Sequence, residues 1–236
     1  YCMRQYGESN TPEYYLQQLS ELYLVQIQSG LLLTEGFLDH RRFKNIVSIL
    51  SRANQVNWLD VKGFIENHIT LVRKDAQDFT KCLSLAVMYL YKEEFNKALE
   101  QSQSALLLPA PCDYHAMDVR SVMLKVLYEL GKPGGLQNIQ EFEQHHNKFK
   151  EFLDYRIKEA KTNKTPERHF QDYREFIEKV RSLFKIKTGV NYNFDSAQAL
   201  EKARRFKESV IGKSIFEEIW LLEKTCELIK KWDNKY

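Results

Sequence analysis

The chain is expected to be all-α, a right-handed superhelix of stacked antiparallel helical hairpins. Three observations predict this. Gly and Pro are scarce, nine and five in 236 residues, whereas sheet proteins spend those residues on turns. Apolar side chains recur at three- and four-residue spacing between clear start and stop signals. Helix pairs open near residues 39, 75 and 113, a recurrence of about 37 residues that suits stacked helical hairpins.

Each element has a local reason. Thr11 before Pro12 is an N-cap and a first-turn proline, opening a helix over 12–29 that Gly30 closes. Within it Tyr15, Leu19, Leu22 and Gln26 recur at helical spacing, and Leu16, Tyr23 and Ile27 widen the apolar face. A second helix covers 39–53, with Phe43, Ile46, Val47 and Leu50 on one side. Asn57 caps a third, with Asp60 near its positive end and Trp58, Val61, Ile65 and Ile69 as its apolar side.

The clearest helices follow, over 75–91 and 94–107, and Pro109-Ala110-Pro111 ends the second. Asp113 caps a helix to Leu130, where Gly131 is a C-terminal stop. Pro133-Gly134-Gly135 turns into a long helix over 136–160. Thr165-Pro166 repeats the opening device and starts a helix carrying Phe170, Tyr173, Ile177, Val180 and Phe184, which stops at Gly189. Asp195 starts another that ends near Gly212. Ser214 and Glu217 read as a capping box opening the last helix, with Ile219, Leu222, Cys226 and Ile229 on one face. No strand is expected.

The segment 82–111 carries small residues at Ala86, Ala98 and Ala105, where two helices of a hairpin would touch, and large ones at Leu85, Tyr89 and Phe95. With the turn Glu93-Glu94-Phe95-Asn96-Lys97-Ala98 it resembles a tetratricopeptide repeat (TPR). Ser102 stands where that pattern usually has an aromatic. The following unit is similar but weaker: Leu124, Leu127, Tyr128, Leu130 and Gly131 keep the first helix, while Lys125 and Gln137 replace small residues. The stretches 123–131, 173–183 and 220–224 also look like the C-terminal region of an uncharacterised bacterial TPR-like family.

The resemblance implies a single TPR-like domain over 1–236. Its best repeat is 79–112, weaker repeats lie at 37–70 and 113–160, and C-terminal helices at 166–188, 196–211 and 214–231. It also implies a concave surface lined by the first helix of each hairpin. Leu83, Val87, Tyr91, Val119, Val122 and Glu129 would face inward there and hold an unknown peptide or protein partner. The competing reading is that Tyr91 and the valines pack against the adjacent repeat, because a stripe at helical spacing is usually core.

The remaining composition mostly excludes. Thirty-five basic and 32 acidic residues give a net charge of +3, too balanced for a duplex-binding surface. The basic stretch Lys148, Lys150, Arg156, Lys158, Lys161, Lys164 and Arg168 interleaves with Glu151, Asp154, Glu159 and Glu167, and reads as a solvated helix face. Lys202, Arg204, Arg205 and Lys207 add a second basic run, so a nucleic-acid-binding helical repeat is the alternative to a protein scaffold. Cys2, Cys82, Cys112 and Cys226 are scattered and form no C-x-x-C, which suits a reducing, cytoplasmic setting. No apolar run is long enough to span a membrane.

Phosphate-loop, nucleophile-elbow and H-E-x-x-H patterns are absent. His145 and His146, adjacent on one helix, point about 100° apart and read as surface histidines, as does His169. Cys112 and His115, three apart beside Asp113, form a conceivable nucleophile pair, although such pairs normally come from distant sequence. No catalytic residue, no metal ligand and no cofactor is expected. The sequence therefore points to a non-catalytic protein-interaction scaffold.

Overall fold

A computed structural model describes residues 12–53, 58–189, 196–212 and 216–233. Among these residues the chain is all-helical apart from one small hairpin. It divides into two compact units, Tyr1–Val126 and Leu127–Tyr236.

In the first unit, helix α1 (Pro12–Gln28) leads to strands β1 (Leu33–Thr34) and β2 (Phe37–Leu38), then α2 (His40–Arg52) and α3 (Trp58–His68). A 3-10 turn (Ile69–Leu71) precedes α4 (Lys74–Tyr91) and α5 (Phe95–Leu107), and α6 (Asp113–Leu130) crosses into the second unit. There α7 (Leu136–Thr162), α8 (Arg168–Thr188), α9 (Ser196–Val210) and α10 (Glu218–Asp233) follow.

The antiparallel pairing of β1 and β2, Leu33 opposite Leu38 and Thr34 opposite Phe37, was not anticipated. Its two-residue turn is Glu35-Gly36, both at positive φ (53° and 82°). That is the backbone a tight hairpin requires. Leu38 is fully buried and anchors the hairpin in the core of the unit.

That core joins Ile27, Phe43, Ile46, Val47, Leu50, Val61, Ile65, Val72 and Met88. The apolar sides expected of α2 and α3 therefore meet one another. Helix α4 packs against both α5 and α2. Ala86, Ala98 and Ala105 are fully buried, as residues allowing close approach of two helices should be. The α4–α5 turn holds an unexpected device. Glu94 N–H donates to Tyr89 O (3.0 Å) and Glu93 N–H to Leu90 O (3.2 Å), with Glu93 in the left-handed region at φ 61°. This is a Schellman stop with Glu in the position where Gly is usual.

The second unit is built on aromatic rings. Phe142 and Phe184 stack at 3.7 Å with planes 8° apart. Trp220 meets Tyr128 edge-on at 5.3 Å and Phe176 at 6.3 Å. Helix α7 packs on α8, and α9 on α10.

Helix α6 stops before Gly131 as expected, although not on a left-handed glycine, since its φ is not positive. A Cβ there would lie 2.2 Å from Phe184 Cε2, so the residue is small to admit the ring. Thr165-Pro166 does not open α8, whose N-cap is Glu167. Thr165 N–H instead donates to Ala160 O and Lys164 N–H to Lys161 O. Lys164 sits at φ 53°, so these residues form the Schellman stop of α7 and Pro166 lies just beyond it. Helix α10 begins at Glu218, with Glu217 outside it at φ 57°, and Glu218 Oε1 accepts from Gly212 N–H (2.8 Å). The readings on Thr11, Asn57, Asp195 and Ser214 lie outside the described residues.

Candidate functional site

Of the six expected groove residues, Leu83, Val87, Val119 and Val122 are buried. Interior helices with neighbours on several sides put such a stripe into the core. Tyr91 is half-buried beneath the Arg52 guanidinium, 5.5 Å from the ring centroid. The Glu129 carboxylate is held between Lys224 Nζ (2.8 Å) and Lys187 Nζ (3.6 Å). None of the six is an open apolar contact.

The outward apolar surface lies on α1 instead. Tyr14 is 57%, Leu22 47% and Val25 60% exposed. At about 100° per residue these three lie within roughly 80° of one another around the axis. Leu16, Leu19 and Ile27 are buried on the opposite side, where Leu16 and Leu19 pack with Ile49. Leu31, beyond the end of the helix, and Phe37, at the hairpin, are also exposed. Helix α1 is thus apolar on two sides and covered on one.

A second constellation gathers around the start of α6. The Pro109-Ala110-Pro111 break turns the chain after α5, and Cys112 lands immediately before α6. Its carbonyl accepts from His115 N–H (3.0 Å) and Ala116 N–H (3.2 Å). Residues three apart on a helical turn face one another, and Cys112 Sγ lies 3.0 Å from His115 Nδ1. The third member, His40, is the first residue of α2. Its place is set by Asp39, whose Oδ1 accepts from Arg41 and Arg42 N–H at 3.0 Å each, capping the helix. The His40 and His115 ring centroids are 3.9 Å apart. One potential ligand atom from each of the three residues falls within 4.8 Å of the others.

Exposure grades through the cluster: Cys112 is exposed, His40 half-buried and His115 buried. Phe79 presents its edge to His115 at 5.6 Å, and His115 Nε2 is buried with no hydrogen-bond partner. Burial, assisted by His40, Arg41 and Lys44 and opposed by Asp118, lowers the His115 pKa to about 4. The ring is therefore neutral at pH 7 and has a nitrogen lone pair to offer. The two nearby cations are otherwise engaged: Lys44 pairs with Asp118 at 3.1 Å and Arg41 lies over the Tyr114 ring at 4.3 Å. The sequence marked Cys112 and His115 as neighbours. It gave no sign of His40, which only the tertiary fold delivers.

His145 and His146 are buried, contrary to the surface reading, while His169 is exposed. His146 Nδ1 lies 3.3 Å from Asn147 Oδ1 and Nε2 lies 3.8 Å from Glu178. Burial lowers its pKa against the pull of Asn147 and Glu178. A histidine kept neutral by folding makes the unfolded state the better proton acceptor below its ordinary value of about 6.5. Stability should therefore fall as pH drops below about 6.5, and His146→Gln should flatten that slope. Urea midpoints between pH 7.5 and 5 check this; an unchanged slope in the variant would refute it.

Two members of the basic stretch are paired locally, and one of its interleaved acids is taken up by another helix. Arg156 bonds Glu159, Lys161 lies near Glu167, and Asp154 accepts from Arg174. Arg204 and Arg205 pair with Asp233 and Glu201. The three described cysteines are free thiols, and no helix among the described residues is long and apolar enough to cross a membrane.

No family model, curated protein or solved structure matches the chain.

Proposed function

We propose that this chain is a non-catalytic scaffold of TPR-like stacked hairpins that binds a peptide or protein partner, and that α1 carries the binding face. The observation supporting it is the two-sided apolar character of α1. A helix buried on one side normally presents polar residues on the other, yet Tyr14, Leu22 and Val25 face outward with Leu31 close by in sequence. Exposed apolar side chains gathered in one sector of a helix, here around the exposed Gln18, support a site of association. The buried Ala86, Ala98 and Ala105 of the α4–α5 hairpin support the repeat reading. The local pairing of Arg156, Lys161, Arg204 and Arg205 weighs against a polyanion surface, because paired cations have fewer phosphates to neutralise.

A photo-crosslinking residue at Val25, with one at exposed Arg205 as reference, tests the reading in native lysate. Discrete adducts are expected from position 25 and not from 205, and Leu22→Glu should suppress them. No adducts at 25, or the same adducts at both positions, would overturn it.

A further inference from the structure

We propose that His40, Cys112 and His115 form a binding site for a divalent transition-metal ion, Zn2+ by preference, with three protein ligands and one open position. Two imidazoles and a thiolate are the donor set that selects borderline and soft metals over Mg2+ or Ca2+, which require oxygen ligands. Three N/S ligands with a fourth position free is the pattern of an open zinc site, whereas a closed structural site has four.

Geometry supports the assignment. Around a tetrahedral Zn2+, with bonds of about 2.0–2.3 Å, ligand atoms lie roughly 3.3–3.6 Å apart. Here Sγ of Cys112 and Nδ1 of His115 are 3.0 Å apart, and all three donors fall within 4.8 Å. Closing on an ion asks for shifts of about an ångström, within reach of side-chain torsions. The two outer ligands can make them, since Cys112 is exposed and His40 half-buried. The inner ligand is held: His115 is 1% exposed, with Phe79 at its edge.

The inner imidazole is sealed in the interior with its Nδ1 turned toward Cys112 Sγ, so the ring presents that nitrogen to the cluster. The charges are compatible with a cation, because binding expels the thiol proton of Cys112 to solvent and the resulting thiolate offsets one unit of the ion's charge. The Asp39 carboxylate, 3.9 Å from His40 Nδ1, adds a negative charge close to the cluster. Lys44 and Arg41 are already engaged by Asp118 and Tyr114.

Co2+ added to the reduced, chelator-treated full chain reads the site directly. The wild type should give a thiolate-to-metal charge-transfer band and intense ligand-field bands at one equivalent, both removed by Zn2+. Cys112→Ser should lose the charge-transfer band. His40→Asn should weaken binding by about 100-fold or more, since even outer-shell partners are worth 10–100-fold. Both changes lie toward the surface, and far-UV circular dichroism verifies that the helices persist. A charge-transfer band that survives in Cys112→Ser would place the metal on another thiol and overturn the assignment. So would Co2+ affinity unchanged by His40→Asn, or no tetrahedral spectrum in the wild type.

Discussion

Glu129→Gln should lower the free energy of unfolding by about 2–4 kcal/mol. Breaking a fully buried ion pair by removing one partner costs roughly 3–5 kcal/mol. The figure here is smaller because the Lys187 and Lys224 side chains keep 16% and 18% of their exposure. The substitution preserves shape and deletes only charge. It leaves two ammonium groups without the carboxylate between them, and Lys224 retains only Glu227 at 2.9 Å. Lys187 is the more burdened. Burial already lowers its pKa, with Lys224 and Lys231 adding to the effect and Glu129 opposing it. It cannot simply swing out, because its Nζ donates to the Tyr128 and Glu129 carbonyls (2.6 and 3.1 Å) and lies 4.3 Å from the Tyr128 ring centroid. Those carbonyls belong to the last turn of α6, which has no intrahelical donors for them. Urea denaturation measures the loss. Glu201→Gln, which breaks the exposed pair with Arg205, is the reference and should change stability by less than about 1 kcal/mol. Equal effects in the two variants would show that the Glu129 network is not formed.

That network illustrates which features a sequence displays. Helix existence was legible throughout, because apolar spacing is a local property and the core uses the residues it marked: Phe43, Ile46, Val47 and Leu50 in α2, and Tyr173, Ile177, Val180 and Phe184 in α8. Punctuation was harder. Thr165-Pro166 has the form of a start signal, yet left-handed Lys164 makes it part of a stop. Nothing in the local chemistry of a lysine announces that conformation. Gly131 does follow the end of its helix, but what requires a glycine there is space for Phe184, a residue far along the chain. Glu35-Gly36 closes a hairpin whose flanking strands are two residues each, too short to show the alternation that announces a strand.

The same division holds at the candidate sites. Helical spacing marked Leu83, Val87, Val119 and Val122 as apolar, but only the packing shows that they face the interior. The outward face of α1 requires knowing which of its two apolar sides is covered. The Cys112–His115 contact is local and was visible as a three-residue spacing. His40 and its Asp39 cap belong to another helix, so the cluster becomes recognisable only when α2 and the start of α6 are brought together.

Phe184→Ala is expected to cost about 3–5 kcal/mol, the range for emptying a core aromatic site. Phe184 stacks on Phe142 and lies 6.2 Å from Tyr128, so its loss strips contacts from two other large side chains. Gly131→Ala attacks the same contact from the opposite side. The added methyl would stand 2.2 Å from Phe184 Cε2 and 2.8 Å from Cζ, and a stiff ring fixed by stacking cannot yield as a flexible chain end could. Overpacking of this kind costs about 1–3 kcal/mol, although alanine would ordinarily stabilise a position with ordinary φ. The sign of the Gly131→Ala effect therefore separates steric exclusion from backbone freedom. The double variant decides the matter. Truncating Phe184 opens the space the methyl needs, so the combined loss should fall short of the sum by about 1 kcal/mol or more, a coupling expected only between groups in contact. Strict additivity, or stabilisation by Gly131→Ala alone, would mean that the glycine and the ring do not meet, and the close packing of α8 against the end of α6 would have to be abandoned.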